Sequence, residues 1–168
     1  MNDMLNDTDV AYIAGLFDGE GHVSITWTYR KSGRDPKLCV KLSNTYLPVI
    51  LKIQDMFGGT IYSPVPTEEH YLQVFHLSFN VSESKVFLKT LMPFLVIKYE
   101  QAYWALKFSD TVYRRGRKKV TEEEHKLRNL CMDKVRELKQ AQWSKNFNKE
   151  EVMVSYEDNK KLLSLEDI

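Results

Sequence analysis

"AYIAGLFDGEGHV", Ala11 to Val23, decides how this chain is read: a helical stretch whose small residues recur along one side and which ends on two acids set between glycines. Ala11, Gly15 and Asp18–Gly19 fall on one helical stripe, with Ala14 beside it. An interior glycine costs about 0.5–1 kcal/mol relative to alanine, so a close approach of other backbone has to offset Gly15. Two packings meet that need: against the chain's own sheet, or against a partner helix. Asp18 and Glu20 then stand where a helix leaves its last carbonyls unpaired and carries partial negative charge. Acids are unfavourable there unless a cation arrives. Carboxylate and free carbonyl oxygens are the donor set a hard divalent ion prefers, so the stretch reads as a metal site or as an acidic turn. An EF-hand does not fit, because its sixth position, counted from Asp18, is Val23 rather than glycine.

Working outward, His22 to Arg30 alternates, with Val23, Ile25, Trp27 and Tyr29 opposite His22, Ser24, Thr26, Thr28 and Arg30. After a turn-rich "KSGRDP", Lys37 to Ser43 alternates again, with Leu38, Val40 and Leu42 opposite Lys37, Cys39, Lys41 and Ser43. Period two in successive segments predicts an antiparallel hairpin with one covered face. Upstream, Asp7 or Thr8 is expected to cap the first helix, which should end near Asp18. Downstream, Pro48 suits the first turn of a second helix with Val49, Ile50, Ile53 and Phe57 inward, ended by Gly58-Gly59. Thr60–Val65 and Tyr71–Val81 predict a second hairpin whose facing is ambiguous, since Gln73 and His76 have opposite parity. Ser82 caps a short helix stopping near Pro93, and "KYEQAYWALKFSDTVYRR" continues as a long one. Thr121 with Glu124 forms a capping box for another, with Leu127, Leu130, Cys131 and Leu138 on one face. A weak helical pattern spans Asn159 to Leu165. The order predicts an α+β fold, αββαββα with an antiparallel sheet and extra C-terminal helices.

At 168 residues, 43% hydrophobic and 28% charged, the chain has the composition of one soluble globular domain spanning 1–168. The longest clean apolar run, Phe94 to Ile97, is too short to cross a bilayer, and MNDMLNDTD lacks the apolar core of a secretory signal. Cys39 and Cys131 form neither a disulfide framework nor a metal spacing, so reduced thiols in an intracellular protein are expected. Net charge is only +1, but its distribution is segregated. Residues 22–52 hold six Lys and Arg against Asp35 alone, and "RRGRKK" at 114–119 adds five, whereas residues 1–20 and 150–168 are acidic. Either a basic surface is assembled from two segments or each is a solvated face.

The nine residues Ile13-Ala14-Gly15-Leu16-Phe17-Asp18-Gly19-Glu20-Gly21 closely resemble the motif that names the LAGLIDADG homing endonucleases. "LSNTYLPVILKIQDMFGGTIY" (Leu42 to Tyr62) looks like the strand, helix and Gly-Gly turn that follow in that family, and "LMPFLVIKYEQA" (Leu91 to Ala102) like a downstream segment. The resemblance covers roughly residues 8 to 110, is of the single-motif type, and leaves residues 111–168 untraced. It implies a site-specific double-stranded DNA endonuclease, a homodimer that promotes intron mobility and leaves short 3′ overhangs. It implies Mg²⁺, with Mn²⁺ or Ca²⁺ substituting for binding. By position, Glu20 matches the metal-binding acid and Gly19 the residue whose carbonyl joins it. Asn44 matches a water-ordering polar residue and Lys98 the base near the scissile phosphate. Asp18 matches a less directly catalytic acid, and the nearest counterpart of a further base is Lys52.

The dimer contact then falls on Ala11, Ala14, Gly15 and Asp18. The DNA-facing set is Ser24, Thr26, Thr28, Arg30, Ser32, Lys37, Cys39 and Lys41 of the first hairpin, with Thr60, Tyr62 and Gln73 of the second. Arg30 is the expected guanine reader, and Lys118, Lys119 and Lys145 are expected phosphate contacts. An RNA maturase assisting intron splicing is the alternative. A non-catalytic DNA-binding regulator would keep the basic sheet but tolerate loss of Glu20.

Overall fold

The computed structural model describes residues 6–30, 33–66, 68, 70–113 and 120–142, with the side chains of Arg30, Gly33, Arg34, Tyr113 and Gln142 outside that description. The chain divides into a compact unit of residues 1–138 and a second unit of 139–168, of which only 139–142 are described. The elements are α1 (Asp7–Glu20), β1 (Gly21–Arg30), β2 (Gly33–Asn44), α2 (Leu47–Phe57), β3 (Thr60–Tyr62), β4 (Phe75–Phe79), α3 (Val81–Leu91), α4 (Tyr99–Tyr113) and α5 (Glu122–Gln142). A short 3-10 turn, Met92–Phe94, joins α3 to the approach of α4. The strands form one antiparallel sheet in the order β1-β2-β4-β3. This is the α+β arrangement the alternation and caps predict.

The inward parity is the predicted one near the start of β1, but cover runs out along the strand: Trp27 is half-buried and Tyr29 is exposed. Val23, Ile25, Leu38, Val40 and Leu42 are buried, joined by Leu77 and Phe79 of β4. Pairing Val40↔Phe79 and Leu42↔Leu77 fixes the phase that the sequence left open: His76 and Ser78 lie on the uncovered face. Gln73 precedes β4 and belongs to no strand. Phe87 of α3 joins the layers, meeting Phe17 of α1 and Phe57 of α2 edge-on, each at 5.1 Å, and stacking on Phe79 at 4.4 Å. Edge-to-face and offset pairs of this kind add about 0.5–1.5 kcal/mol each beyond their buried area.

Several boundaries differ from expectation for identifiable reasons. Asn6, not Asp7 or Thr8, caps α1: its Oδ1 accepts from Asp9 N at 2.8 Å. The helix continues past Asp18 to Glu20 because Gly21 N–H still reaches the Phe17 carbonyl. Gly33–Pro36 is strand rather than turn. Pro36 is tolerated because β4 pairs with β2 only from Val40 to Asn44, so one side of Pro36 is an edge. Asn80, not Ser82, caps α3, and Glu83 returns the bond to the Asn80 N–H in a full capping box. The Thr121–Glu124 box of α5 forms as expected. Gly58 and Gly59 end α2 with φ of 77° and 101°, a left-handed backbone that favours glycine.

The largest departure is on α5. Leu127 and Leu130 are exposed, and the inward face is Arg128, Cys131, Met132 and Val135. Arg128 is 1% exposed; its Nε donates to Thr111 Oγ1 at 2.9 Å, one Nη to Thr111 O at 2.8 Å, and the other lies 3.8 Å from Asp35. A guanidinium enters a core only when its donors are met like this. It ties α5 and the end of α4 to the first hairpin. Cys39 and Cys131 are both free, and burial pushes the Cys131 thiol up to about 11, so it stays protonated and unreactive.

Candidate functional site

Two features meet at one end of the sheet. One is the C-terminus of α1. Phe17 O is taken by Gly21 N–H, and Asp18 O accepts from Lys98 Nζ. Glu20, the last helical residue, is exposed, and its carboxylate has no hydrogen bond or ion pair among the described residues. Gly21 follows because a side chain there would collide with the Phe17 ring, whose Cδ2 is 2.3 Å from an ideal Cβ. That glycine is required by the chain's own packing. Gly15 and Gly19 are not: a Cβ at either meets nothing within 4 Å.

The other feature is the turn at residues 96–98. Asp18 is buried, and its Oδ2 accepts from Val96 N at 2.8 Å and Ile97 N at 3.1 Å, while Oδ1 accepts from Lys98 N at 2.9 Å. Three donors that precede α4 thus converge on one carboxylate, which compensates its burial and suits the positive end of a helix. The same contact delivers Lys98, itself buried, onto the last turn of α1. Gln101 lies one turn further along α4; it is buried, and its Nε2 is without a partner among the described residues.

The helix stripe divides. Ala11 and Gly15 are exposed, but Ala14 is fully buried in its own core and Asp18 is consumed by the 96–98 turn. Neither Ala14 nor Asp18 is available to a partner, which corrects that part of the expected contact. Lys52 pairs with Asp9 at 2.7 Å. Its ammonium holds the Asp9 carboxyl below its usual range. Asp9 lies eleven residues before Glu20, about 16 Å along the helix axis. Lys52 therefore belongs to the opposite end of α1.

Gly21 pairs with Leu42, so Ser43 and Asn44 project past the start of β1, at the end where α1 finishes. Asn44 is half-buried, and its Oδ1 accepts from Tyr46 N at 2.8 Å, which leaves the Nδ2 donors. The uncovered face carries registered rows. His22, Lys41, Ser78 and Thr60 form one, and Ser43, His76 and Tyr62 the next. Ser24 pairs with Cys39, Thr26 with Lys37 and Thr28 with Asp35. Thr26 and Lys37 are exposed, Lys41 and Cys39 half-buried, and Ser24 is covered by its neighbours, with Oγ 3.0 Å from His22 Nε2. Thr28 Oγ1 donates to Asp35 O at 2.8 Å. Gln73 instead donates to Ser63 Oγ at 2.9 Å, away from these rows. Ser32, Lys118, Lys119 and Lys145 lie outside the described residues, as does the Arg30 side chain.

His22, Ser43, His76 and Ser78 are the face residues that sequence reasoning did not select. His22 and Ser43 were legible from parity; the other two needed the register of β4. Burial of the ring, and then the Lys41 ammonium, hold His76 below the usual 6.5. A base so depressed takes its proton more readily in the unfolded chain. Its contribution to stability is therefore complete above pH 6.5 and is lost as pH falls through the lowered folded value. The unfolding midpoint should drop on acidification from pH about 7 to about 5, and the drop should be smaller in His76→Gln. Equal drops in parent and variant would contradict that assignment.

Neither the family models nor the curated proteins searched contain a match to this chain. Solved structures do match. The fold is that of the LAGLIDADG homing endonucleases. The homing endonuclease I-CvuI in complex with DNA superposes with a TM-score of 0.62 at 18% identity, over 84% of this chain and 85% of that one. I-Vdi141I, an archaeal intron-encoded homing endonuclease complexed with DNA, gives 0.60 at 17% identity, over 93% and 98%. The meganuclease I-SmaMI bound to uncleavable DNA gives 0.60 at 13% identity, and there the chain spans 46% of the other's length.

Proposed function

We propose that this chain is a site-specific, divalent-metal-dependent DNA endonuclease that acts as a homodimer and serves intron mobility. The observation that carries the reading is Glu20: an exposed carboxylate at a helix C-terminus, at the edge of an open hydroxyl- and lysine-bearing sheet face, with Lys98 locked onto the same turn. Glu20 has no cation partner among the described residues, and no cluster of three His, Cys, Asp or Glu forms among them. A donor set so sparse fits Mg²⁺, which takes one or two carboxylates and keeps water and phosphate as its other ligands. Glu20 and the Gly19 carbonyl would hold it. A divalent ion held there would supply Lewis-acid chemistry: activation of water, neutralisation of phosphoryl oxygen and stabilisation of the leaving oxygen.

The chain's own groups do the rest. The Lys98 ammonium offsets negative charge at the α1 terminus and at the approaching phosphate. Asn44 Nδ2 orients water while its Oδ1 is held by Tyr46 N. The sheet face fits a major groove, where base edges are read, with Thr26, Lys37 and Lys41 presented outward. Incubation with a plasmid library randomised over about two helical turns of DNA, in Mg²⁺ and in EDTA, tests the reading. Metal-dependent linearisation of a defined subset is expected, and the absence of any cut product in Mg²⁺ would refute it.

Two strands require two centres. Ala11, Gly15 and Gly19 leave a smooth exposed side of α1 that none of the described residues covers. Gly15→Leu should therefore stabilise the protomer itself by about 0.5–1 kcal/mol while shifting sedimentation from dimer to monomer. A variant that still sediments as a dimer would place the contact elsewhere.

A further inference from the structure

We propose that Ser43, His76 and Tyr62 form a preorganised base-reading site, in which His76 Nε2 donates to the N7 of a purine in the major groove close to the scissile phosphate. The inference rests on the DNA-endonuclease reading above and adds to it a specificity-determining residue. The three residues are consecutive across β2, β4 and β3, in the registers Ser43↔His76 and His76↔Tyr62. Ser43 Oγ lies 2.7 Å from His76 Nδ1, and the Tyr62 ring stacks on the imidazole at 4.7 Å between centroids and 26° between planes. The ring is thus fixed on one edge and one face before any ligand arrives. Freezing a rotamer in advance removes an entropic cost from binding.

The chemistry of the row favours recognition over catalysis. A serine–histidine pair that makes a nucleophile needs a third group orienting the histidine's other nitrogen. His76 Nε2 has no hydrogen-bond partner among the described residues, so Ser43 orients the ring rather than the reverse. The Ser43 hydroxyl can donate to Nδ1, and in that tautomer the ring proton resides on Nε2, which is then the donor. Purine N7 is an acceptor exposed in the major groove, and guanine adds O6 beside it. Phosphate is the poorer match, because a neutral ring brings no charge to it. The row also lies directly beyond the Gly21↔Leu42 pair, at the end of the sheet where Glu20 terminates α1. A base read here is one near the cleavage point rather than at the outer end of the half-site.

The test selects bound duplexes from a randomised pool with the full chain and compares the consensus for parent, His76→Ala and His76→Gln. Purine preference should fall about tenfold at one position, or its symmetry mate, in His76→Ala. In His76→Gln it should move toward adenine, the base a glutamine pairs with, while other positions are unchanged. Replacing that purine by its 7-deaza analogue should weaken the parent about tenfold and leave His76→Ala unaffected. Thermal unfolding confirms that each variant is folded, and if His76→Ala is not, His76→Gln carries the comparison. An unchanged consensus in a folded variant, or a 7-deaza duplex bound as tightly by the parent, overturns the proposal. A parent that selects no consensus at all is a separate result, and it would sink the endonuclease reading instead.

Discussion

Glu20→Gln should bind its DNA target as the parent does and cleave it at least about a hundredfold more slowly, a loss of about 3 kcal/mol of transition-state stabilisation. The substitution keeps the size of the side chain and removes one charge. No bond among the described residues depends on that charge: Glu20 is exposed and makes no hydrogen bond or ion pair among them. Removing a negative charge from a helix C-terminus should, if anything, stabilise α1 slightly. Stability and activity therefore move in different directions, which a merely structural acid would not produce. Single-turnover cleavage in Mg²⁺, paired with an unfolding curve and a binding titration, separates them. Cleavage within a few-fold of the parent would remove Glu20 from the active centre and with it the metal assignment.

Much of this arrangement is legible in the sequence, and the parts that are not share a cause. Alternation in His22–Arg30 and Lys37–Ser43 is a local signal, and Val23, Ile25, Leu38, Val40 and Leu42 are buried as the parity indicates, although Tyr29 is exposed and Ser24 is covered. Pro48, Gly58-Gly59 and the Thr121–Glu124 box are likewise local, and each marks the boundary it should. β4 has no such signal. Its phase is set by Val40↔Phe79 pairing, a contact between distant segments, and only that register puts His76 beside Ser43 and Tyr62.

Arg128 failed for the same reason. A charged residue reads as solvent-facing until Thr111 and Asp35 are known to meet its donors, so the sequence points to the apolar Leu127 and Leu130 instead. On α1 the sequence offered two explanations for the small residues, and packing within the protomer accounts for only some of the positions. Gly21 and Ala14 serve the protomer, whereas Gly15 and Gly19 face outward with room to spare. The acids divide similarly, Glu20 outward and Asp18 inward. Motif spacing could not distinguish those roles, because the partners of Asp18 lie about eighty residues away in the chain.

That division makes Asp18 the position where fold and activity should fail together. Asp18→Ala removes the acceptor of three backbone donors at residues 96–98 and leaves them under-solvated beside the Lys98 ammonium. Hydrogen bonds to a charged group contribute about 1.5–3 kcal/mol each and are not additive, so a total loss of about 3–5 kcal/mol is expected. Against a typical domain stability of about 5–15 kcal/mol, the variant should still fold in the cold but with a much lower urea midpoint. Asp18→Asn is the milder probe. Its amide oxygen can keep the Val96 and Ile97 donors, but its NH₂ then faces the Lys98 N–H, so about half the loss should remain. Because Asp18 also delivers Lys98 to the α1 terminus, the folded Asn variant should cleave at least about tenfold more slowly while binding DNA normally, a barrier increase of about 1.4 kcal/mol. Lys98→Met should reproduce that kinetic defect without the same fall in stability, since the carboxylate keeps its three backbone partners. If Asp18→Asn unfolds at the parent's urea midpoint and cleaves at the parent's rate, the 96–98 turn does not depend on Asp18, and Lys98 must be held by something else.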